Sequence, residues 1–315
     1  MKWRRPVVIV ILAILLFLGL ITLLLDAYSA SVARSALTPF DTHFDESLPG
    51  RTITENDLNA DFFCSGSDTP QKTVIILGGS EGGKHWSTNS PYIRKLLDQG
   101  YCVMVLAYFH APGLPEFLRE IPLEYFEEAF HWLSTQKQVI PDDYAVFGHS
   151  RGGELALLLA SRYPQIKTVI ALAPSSVLFP SSPQGFFDVL AGQHSAWSYQ
   201  GLPLPFVPWP VSLKNAPSLV SFQQVQMFEE ALQNSEAVEL ASIDVENISA
   251  PILCFSAGQD EVWPSALMCD QIMKRLDENN FAFYHAHISH DNGHGWCGLE
   301  VCWDKVMDFL EEHFR

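Results

Sequence analysis

Three side chains in this chain have the types and order that nucleophilic acyl chemistry requires. The first is Ser150, in Gly148-His149-Ser150-Arg151-Gly152. Before it, Tyr144–Phe147 is apolar and partly aromatic or β-branched, as a short buried strand would be. After it, Glu154-Leu155-Ala156-Leu157-Leu158-Leu159-Ala160 is a run of strong helix formers. A strand that turns into a helix through G-x-S-x-G is a nucleophile elbow. Glycines flank the serine because the turn is too tight for a Cβ beside it. The serine is exposed near the positive end of the helix that follows.

A serine hydroxyl attacks a carbonyl only when a base takes its proton and a carboxylate orients that base. The expected chain order here is nucleophile, acid, histidine. Pro251–Ala257 reads as a late strand leading into Gly258-Gln259-Asp260, which makes Asp260 the expected acid. Glu261 is adjacent and stays open as an alternative, as does a purely capping role for Asp260. Four histidines follow: His285, His287, His290 and His294. Alternation along Phe281–Ile288 puts His285 and His287 on one sheet face, where a structural role is expected. His290 and His294 fall in the next loop. His294 stands between glycines that leave its backbone free to swing over the serine, so it is the expected base, with His290 as alternative.

An oxyanion needs two N–H donors. The amide of Arg151 is one; the other is expected from Ser80 or Glu81 in the loop Gly78-Gly79-Ser80-Glu81-Gly82-Gly83. The Arg151 side chain is open to two readings, a place on the helix surface or a contact with an anionic group of the substrate. No cofactor is expected. The histidine cluster lacks metal-ligand spacing, so no metal is expected either.

These residues need a scaffold, and the pattern supplies one. Strands are expected at Lys72–Leu77, Tyr101–Tyr108, Tyr144–Phe147, Thr168–Ala173, Pro251–Ala257 and Phe281–Ile288. Helices are expected at Pro91–Gln99, Pro122–Gln136, after Ser150, at Ser265–Leu276 and at Leu299–Phe314. Alternating strand and helix predicts an α/β fold, a mostly parallel sheet with helices on both faces. The segment 174–217 breaks this alternation with Phe179, Phe186, Phe187, Trp197, Tyr199, Phe206, Trp209 and many prolines. Its position after the elbow helix and the next strand predicts a cap above the strand ends. Trp197, Tyr199, Phe206 and Trp209 are its expected substrate-binding residues.

The chain has 315 residues, 48% of them hydrophobic and 17% charged, which fits a globular core. A net charge of −17 argues against nucleic acid or an anionic membrane surface as partner. The N-terminus is different: Lys2, Arg4 and Arg5 precede an uncharged run, Val7–Leu25. As a helix that run is roughly 28 Å long, enough to span a bilayer and longer than an ordinary signal-peptide core. The expected organisation is a signal anchor over 1–26, a spacer over 27–58 with a strand at 59–64, and a catalytic unit over 59–315. The positive charges keep the N-terminus cytoplasmic and put the rest in the periplasm, a lumen or outside. Ser31 and Ala33 offer a cleavage site, so secretion after cleavage is the alternative. Of six cysteines, Cys102 and Cys254 are expected as core residues without disulfide partners. Cys297 and Cys302 are near enough to bridge in an oxidising compartment. Oligomeric state is left open.

The chain also resembles a known family, the C-terminal catalytic domain of acyl-CoA thioesterases and bile-acid-CoA:amino-acid N-acyltransferases. These belong to the α/β-hydrolase superfamily and are similar to dienelactone hydrolases. The matching stretches are Leu77-Gly78-Gly79-Ser80-Glu81-Gly82-Gly83, Leu106-Ala107-Tyr108-Phe109 and Gly113-Leu114-Pro115. To these are added Ile121-Pro122-Leu123-Glu124-Tyr125-Phe126-Glu127-Glu128-Ala129 and Gly148-His149-Ser150-Arg151-Gly152-Gly153-Glu154-Leu155-Ala156. The resemblance implies a triad of Ser150, Asp260 and His294, and hydrolysis of an acyl thioester or ester. Acyltransferase members use cysteine as nucleophile, so serine favours hydrolysis over acyl transfer to an amine. Peptidase activity on the same fold and a non-catalytic membrane-anchored binding module are the other readings. The family's animal enzymes carry a β-sandwich domain ahead of this one, where this chain has its apolar run and spacer. An outward-facing domain would meet little acyl-CoA, which makes a lipid-like acyl ester as fitting a substrate as a thioester.

Overall fold

The computed structural model describes residues 4–35, 37, 43–66, 69–181, 188, 192–210, 212, 215, 224–295 and 300–315. Helix α1 (Arg4–Ser35) comes first. Its stretch Ile9–Tyr28 is long and apolar enough to cross a membrane, and none of it is buried against the rest of the protein.

The strands of the main sheet are β1 (Gly50–Ile53), β2 (Asn59–Phe63), β3 (Gln71–Leu77), β4 (Cys102–Ala107), β6 (Val139–His149), β7 (Ile166–Leu172), β10 (Ile252–Ala257) and β11 (His285–His290). Their order is β1-β2-β4-β3-β6-β7-β10-β11. Pairing is antiparallel from β1 to β4 and parallel from there to β11. Side chains alternate across the strands, which sorts them into two cores. Ile75 and Leu77, Met104 and Leu106, and Tyr144 and Val146 face one core. Their neighbours Val74 and Ile76, Val103 and Val105, and Ala145 and Phe147 face the other. Both cores are closed by helices: α2 (Ser90–Asp98), α3 (Glu124–Thr135), α4 (Arg151–Ala160), α7 (Ser265–Glu278) and α8 (Glu300–His313).

Several details differ from the sequence reading. Strand β1 lies inside the expected spacer, pairing Gly50 to Ile53 with Phe63 to Ala60, so the sheet begins ahead of residue 59. Pro122 does not open a helix. It pairs with Ser198 in a small second sheet, β5 (Ile121–Pro122), β8 (Trp197–Tyr199) and β9 (Leu202–Pro203). The inserted cap runs past residue 217. Helices α5 (Val225–Ala231) and α6 (Ser235–Ala241) join Phe179, Val207, Trp209 and Trp263 in a third apolar cluster. Phe186 and Phe187 lie outside the described residues.

Cys102 corrects an expectation. It is buried as foreseen but forms a disulfide with Cys64. The antiparallel register sets Phe63 against Val103, so the residues just beyond face each other with Cα atoms 4.4 Å apart. Cys297 lies outside the described residues; Cys302 is buried in the core.

Candidate active site

Ser150 sits between β6 and α4 with φ +56° and ψ −119°, a conformation an L residue holds only under restraint. The restraint is the crossing of this turn with β3. A Cβ on Gly148 would overlap the carbonyl of Gly152, and one on Gly152 would overlap the carbonyls of Leu77 and Gly78. Both glycines of the motif are thus required by backbone contact. Ser150 is buried to within a few per cent, as is His294.

Imidazole Nε2 of His294 lies 2.9 Å from Ser150 Oγ, and Nδ1 lies 2.9 Å from both carboxylate oxygens of Asp260. Three residues more than thirty positions apart in every pairing meet here because β6, β10 and β11 are near neighbours in the sheet and each releases its loop at the same end. Asp260 is also held from below: it accepts from the amides of Val262 at 3.0 Å and Trp263 at 3.1 Å and from Ser265 Oγ at 2.6 Å. Burial pushes its carboxyl up, but the donors from His294, Ser265 and Trp263 outweigh burial and hold it below the usual carboxylate range. Asp260 thus meets the imidazole and ties the turn ahead of α7, whose own N-cap, Pro264, makes no side-chain hydrogen bond.

Glu261 points elsewhere. Its Oε2 accepts the backbone N–H of His294 at 3.0 Å, so it fixes the loop and does not touch the imidazole. His290 is the last residue of β11, not part of the loop, and burial lowers its pKa. His285 and His287 reach helix α7, bonding Asp277 and Asp270 at 2.9 Å each, and His287 also meets Ser256 Oγ at 2.7 Å.

The Arg151 side chain does neither of the things its sequence context left open. It is buried beneath the cap, pairing with Glu154 at 2.7 Å and donating to the carbonyls of Phe179 at 2.8 Å and Pro180 at 3.1 Å. Glu154 in turn accepts from the indole of Trp197 at 2.7 Å. Burial raises the Glu154 carboxyl against the lowering effect of Arg151. Trp197 is therefore sealed inside, an anchor between cap and elbow helix instead of a wall facing a ligand. Trp209 is buried in the cap cluster, Tyr199 is half-buried beneath the Arg162 guanidinium, and Phe206 is half-buried.

Of the residues expected to donate to an oxyanion, Ser80 is exposed and Glu81 half-buried in the turn after β3. A Cβ on Gly79 would lie 3.1 Å from Ser150 Cβ, so this loop runs directly against Ser150. Sequence reasoning missed His149, whose Nε2 lies 3.1 Å from the His294 carbonyl, and Trp263, whose ring meets the His294 ring edge-on at 5.8 Å. The Arg151–Glu154 pair had a signal: opposite charges at i and i+3 on a helix otherwise made of Gly, Leu and Ala.

The profile of the family described as BAAT / Acyl-CoA thioester hydrolase C terminal matches residues 121–296. Acyl-coenzyme A thioesterase 2, mitochondrial, of Mus musculus is 28% identical over 225 residues, 71% of this chain and 45% of that protein. Acyl-coenzyme A thioesterase 1 of Mus musculus is 27% identical over 225 residues, 71% of this chain and 48% of that protein. Acyl-coenzyme A amino acid N-acyltransferase 1 of the same organism is 35% identical over 77 residues, 24% of this chain and 18% of that protein. The chain spans about half the length of the thioesterases it matches. Among solved structures, a Pyrococcus furiosus esterase superposes with a TM-score of 0.57 at 15% identity, covering 89% of this chain and 100% of that one. A Pyrococcus horikoshii acylaminoacyl peptidase gives 0.55 at 14% identity, covering 84% and 41%. The shared architecture is the α/β-hydrolase fold.

Proposed function

This chain belongs to the BAAT / acyl-CoA thioester hydrolase C-terminal family, and from that premise we propose that it is a membrane-anchored serine hydrolase of acyl esters or thioesters. The observation that carries the reading is the unbroken hydrogen-bonded series from Ser150 Oγ through His294 to Asp260.

In this reading Ser150 Oγ attacks the acyl carbonyl while His294 Nε2 takes its proton. Asp260 holds the Nδ1–H tautomer and stabilises the imidazolium. The amides of Arg151 and of Ser80 or Glu81 receive the oxyanion. Collapse of the tetrahedral species expels the alcohol or thiol, which takes the proton from His294 and leaves an acyl-serine. Water, deprotonated by His294, then attacks the acyl-serine and releases the acid.

Helix α1 is proposed as an uncleaved anchor with the catalytic unit on the far side of the membrane. The disulfide Cys64–Cys102 supports an oxidising location. An acyl ester near the bilayer then suits the site as well as a CoA thioester does. The similarity to an N-acyltransferase favours a second reading, transfer of the acyl group to an amine. Turnover of a p-nitrophenyl ester by the full chain and by Ser150→Ala tests the main proposal. The variant is expected to be inactive and unlabelled by a fluorophosphonate; retained turnover would refute the assignment. Glycine or taurine supplied as acceptor separates the second reading, by N-acyl product in place of free acid.

A further inference from the structure

One peptide unit beside the nucleophile is gripped at both ends. The carbonyl of Gly78 accepts a hydrogen bond from the phenol of Tyr108 at 2.5 Å. The N–H of Gly79, at the other end of the same peptide bond, donates to Glu81 Oε1 at 2.9 Å. A glycine on each side makes this unit unusually free to rotate, because neither flanking dihedral is restricted by a Cβ. Room for a larger residue is short: a Cβ on Gly79 would stand 2.8 Å from Glu81 Oε2 and 3.1 Å from both the His149 carbonyl oxygen and Ser150 Cβ. Two side chains remove the freedom that glycine leaves.

The rest of the loop is tied as firmly. Gly79 O accepts from Gly82 N at 3.3 Å, closing a turn with Ser80 and Glu81 at its centre. Gly82 and Gly83 follow with positive φ, and the Gly83 N–H donates to Phe109 O at 3.0 Å. Lys84 pairs with the buried carboxylate of Asp61 at 2.7 Å. Among the described residues the Ser80 N–H has no acceptor within the protein, so it is available to a ligand. Rotation of the Gly78–Gly79 peptide by half a turn would point a carbonyl where its N–H now lies and change the φ of Gly79, on which the next peptide, with the Ser80 amide, is built. Tyr108 is fully buried, and burial drives its phenol well above the usual range, so it stays a neutral donor.

We propose that Glu81 and Tyr108 are positioning residues: acting on the two ends of the Gly78–Gly79 peptide, they hold the Ser80 amide toward the oxyanion formed at Ser150. The proposal rests on the hydrolase reading above and gives the Glu81 side chain a role distinct from its backbone amide.

The test uses the full chain in detergent, with p-nitrophenyl butyrate for kcat and KM and an alkyl trifluoromethyl ketone as mimic of the tetrahedral oxyanion. Glu81→Ala should lower kcat about tenfold, leave KM within about twofold and weaken the ketone by the same factor as kcat, a fraction of what loss of a direct donor costs. Glu81→Gln keeps an acceptor oxygen for Gly79 and should recover most of the rate. Tyr108→Phe should reproduce the kcat and ketone losses. An unchanged kcat in Glu81→Ala, a loss that Glu81→Gln does not recover, or a fall in melting temperature with the ketone affinity intact would each overturn the proposal. Ser150→Ala run alongside separates the two levels: if it stays active, the hydrolase reading fails and this proposal falls with it, whereas an inactive Ser150→Ala beside an unchanged Glu81→Ala overturns this proposal alone.

Discussion

The imidazole Nε2 of His149 lies 3.1 Å from the main-chain oxygen of His294, and the two rings are 5.3 Å apart. The residue beside Ser150 on the elbow thereby braces the loop that brings His294 to it, across 145 positions of sequence. Burial, with the neighbouring His294, lowers the pKa of His149, which keeps it neutral with its proton on Nε2 facing the carbonyl.

Replacing His149 should therefore loosen the far side of the site and leave Ser150 itself in place. His149→Ala removes one buried hydrogen bond, worth about 0.5–1.5 kcal/mol, and is expected to lower kcat by about two- to tenfold. Fluorophosphonate labelling should slow by the same factor. Steady-state kinetics at pH 7 would contradict the bracing role if kcat were unaltered.

Asp260 carries a pH signature. Its folded-state pKa is held below the unfolded value, so its contribution to stability is present above the unfolded pKa, about 4, and is lost as pH falls through the lower folded value. Asp260→Asn should be less stable than the parent at pH 7, and the difference should shrink as urea midpoints are followed from pH 5 downward. Its kcat should drop by on the order of 10³–10⁴, because asparagine admits the wrong tautomer of His294. A stability difference constant with pH would contradict the assignment.

The cap is fastened through a buried charge. Glu154→Gln leaves Arg151 without its partner beneath the cap and should cost about 3 kcal/mol by urea denaturation. Trp197→Phe removes the indole donor to Glu154 and should cost about 1–3 kcal/mol. The double variant should lose less than the sum, since both changes act on one carboxylate. Full additivity would show that the two contacts are independent.

The disulfide ties the end of β2 to the start of β4, its neighbour in the main sheet. Replacing Cys64 and Cys102 together by serine should lower stability by about 2–4 kcal/mol, and reductant should do the same to the parent. A digest under non-reducing conditions should yield one linked peptide containing both. Recovery of the two as separate thiol peptides would contradict the pairing.

The exposed apolar helix makes a cellular prediction. Full-length protein should stay with membranes through alkaline carbonate and be released only by detergent. A reporter fused after Arg315 should be active only outside the cytoplasm. Carbonate-soluble protein would refute the anchor.

Much of the arrangement was legible along the chain because it is local or periodic. The α/β alternation follows from strand and helix periods, and the strained serine turn follows from glycines two positions to either side of Ser150. Asp260 and His294 could be chosen because each follows a recognisable strand. What could not be read there depends on contacts between distant elements. The register of β2 against β4 turned Cys102 from a core residue into a disulfide partner. The drop of the cap onto α4 took Arg151 and Trp197 out of contact with solvent and joined them through Glu154. The crossing of β3 beneath the elbow put Gly79 against Ser150 and brought Glu81 and Tyr108 to the two ends of one peptide. Sequence patterns report which face of an element is apolar and where its backbone must bend. Only the packed structure decides which buried polar group meets which, because each must find a partner once water is gone and that partner is set by the fold.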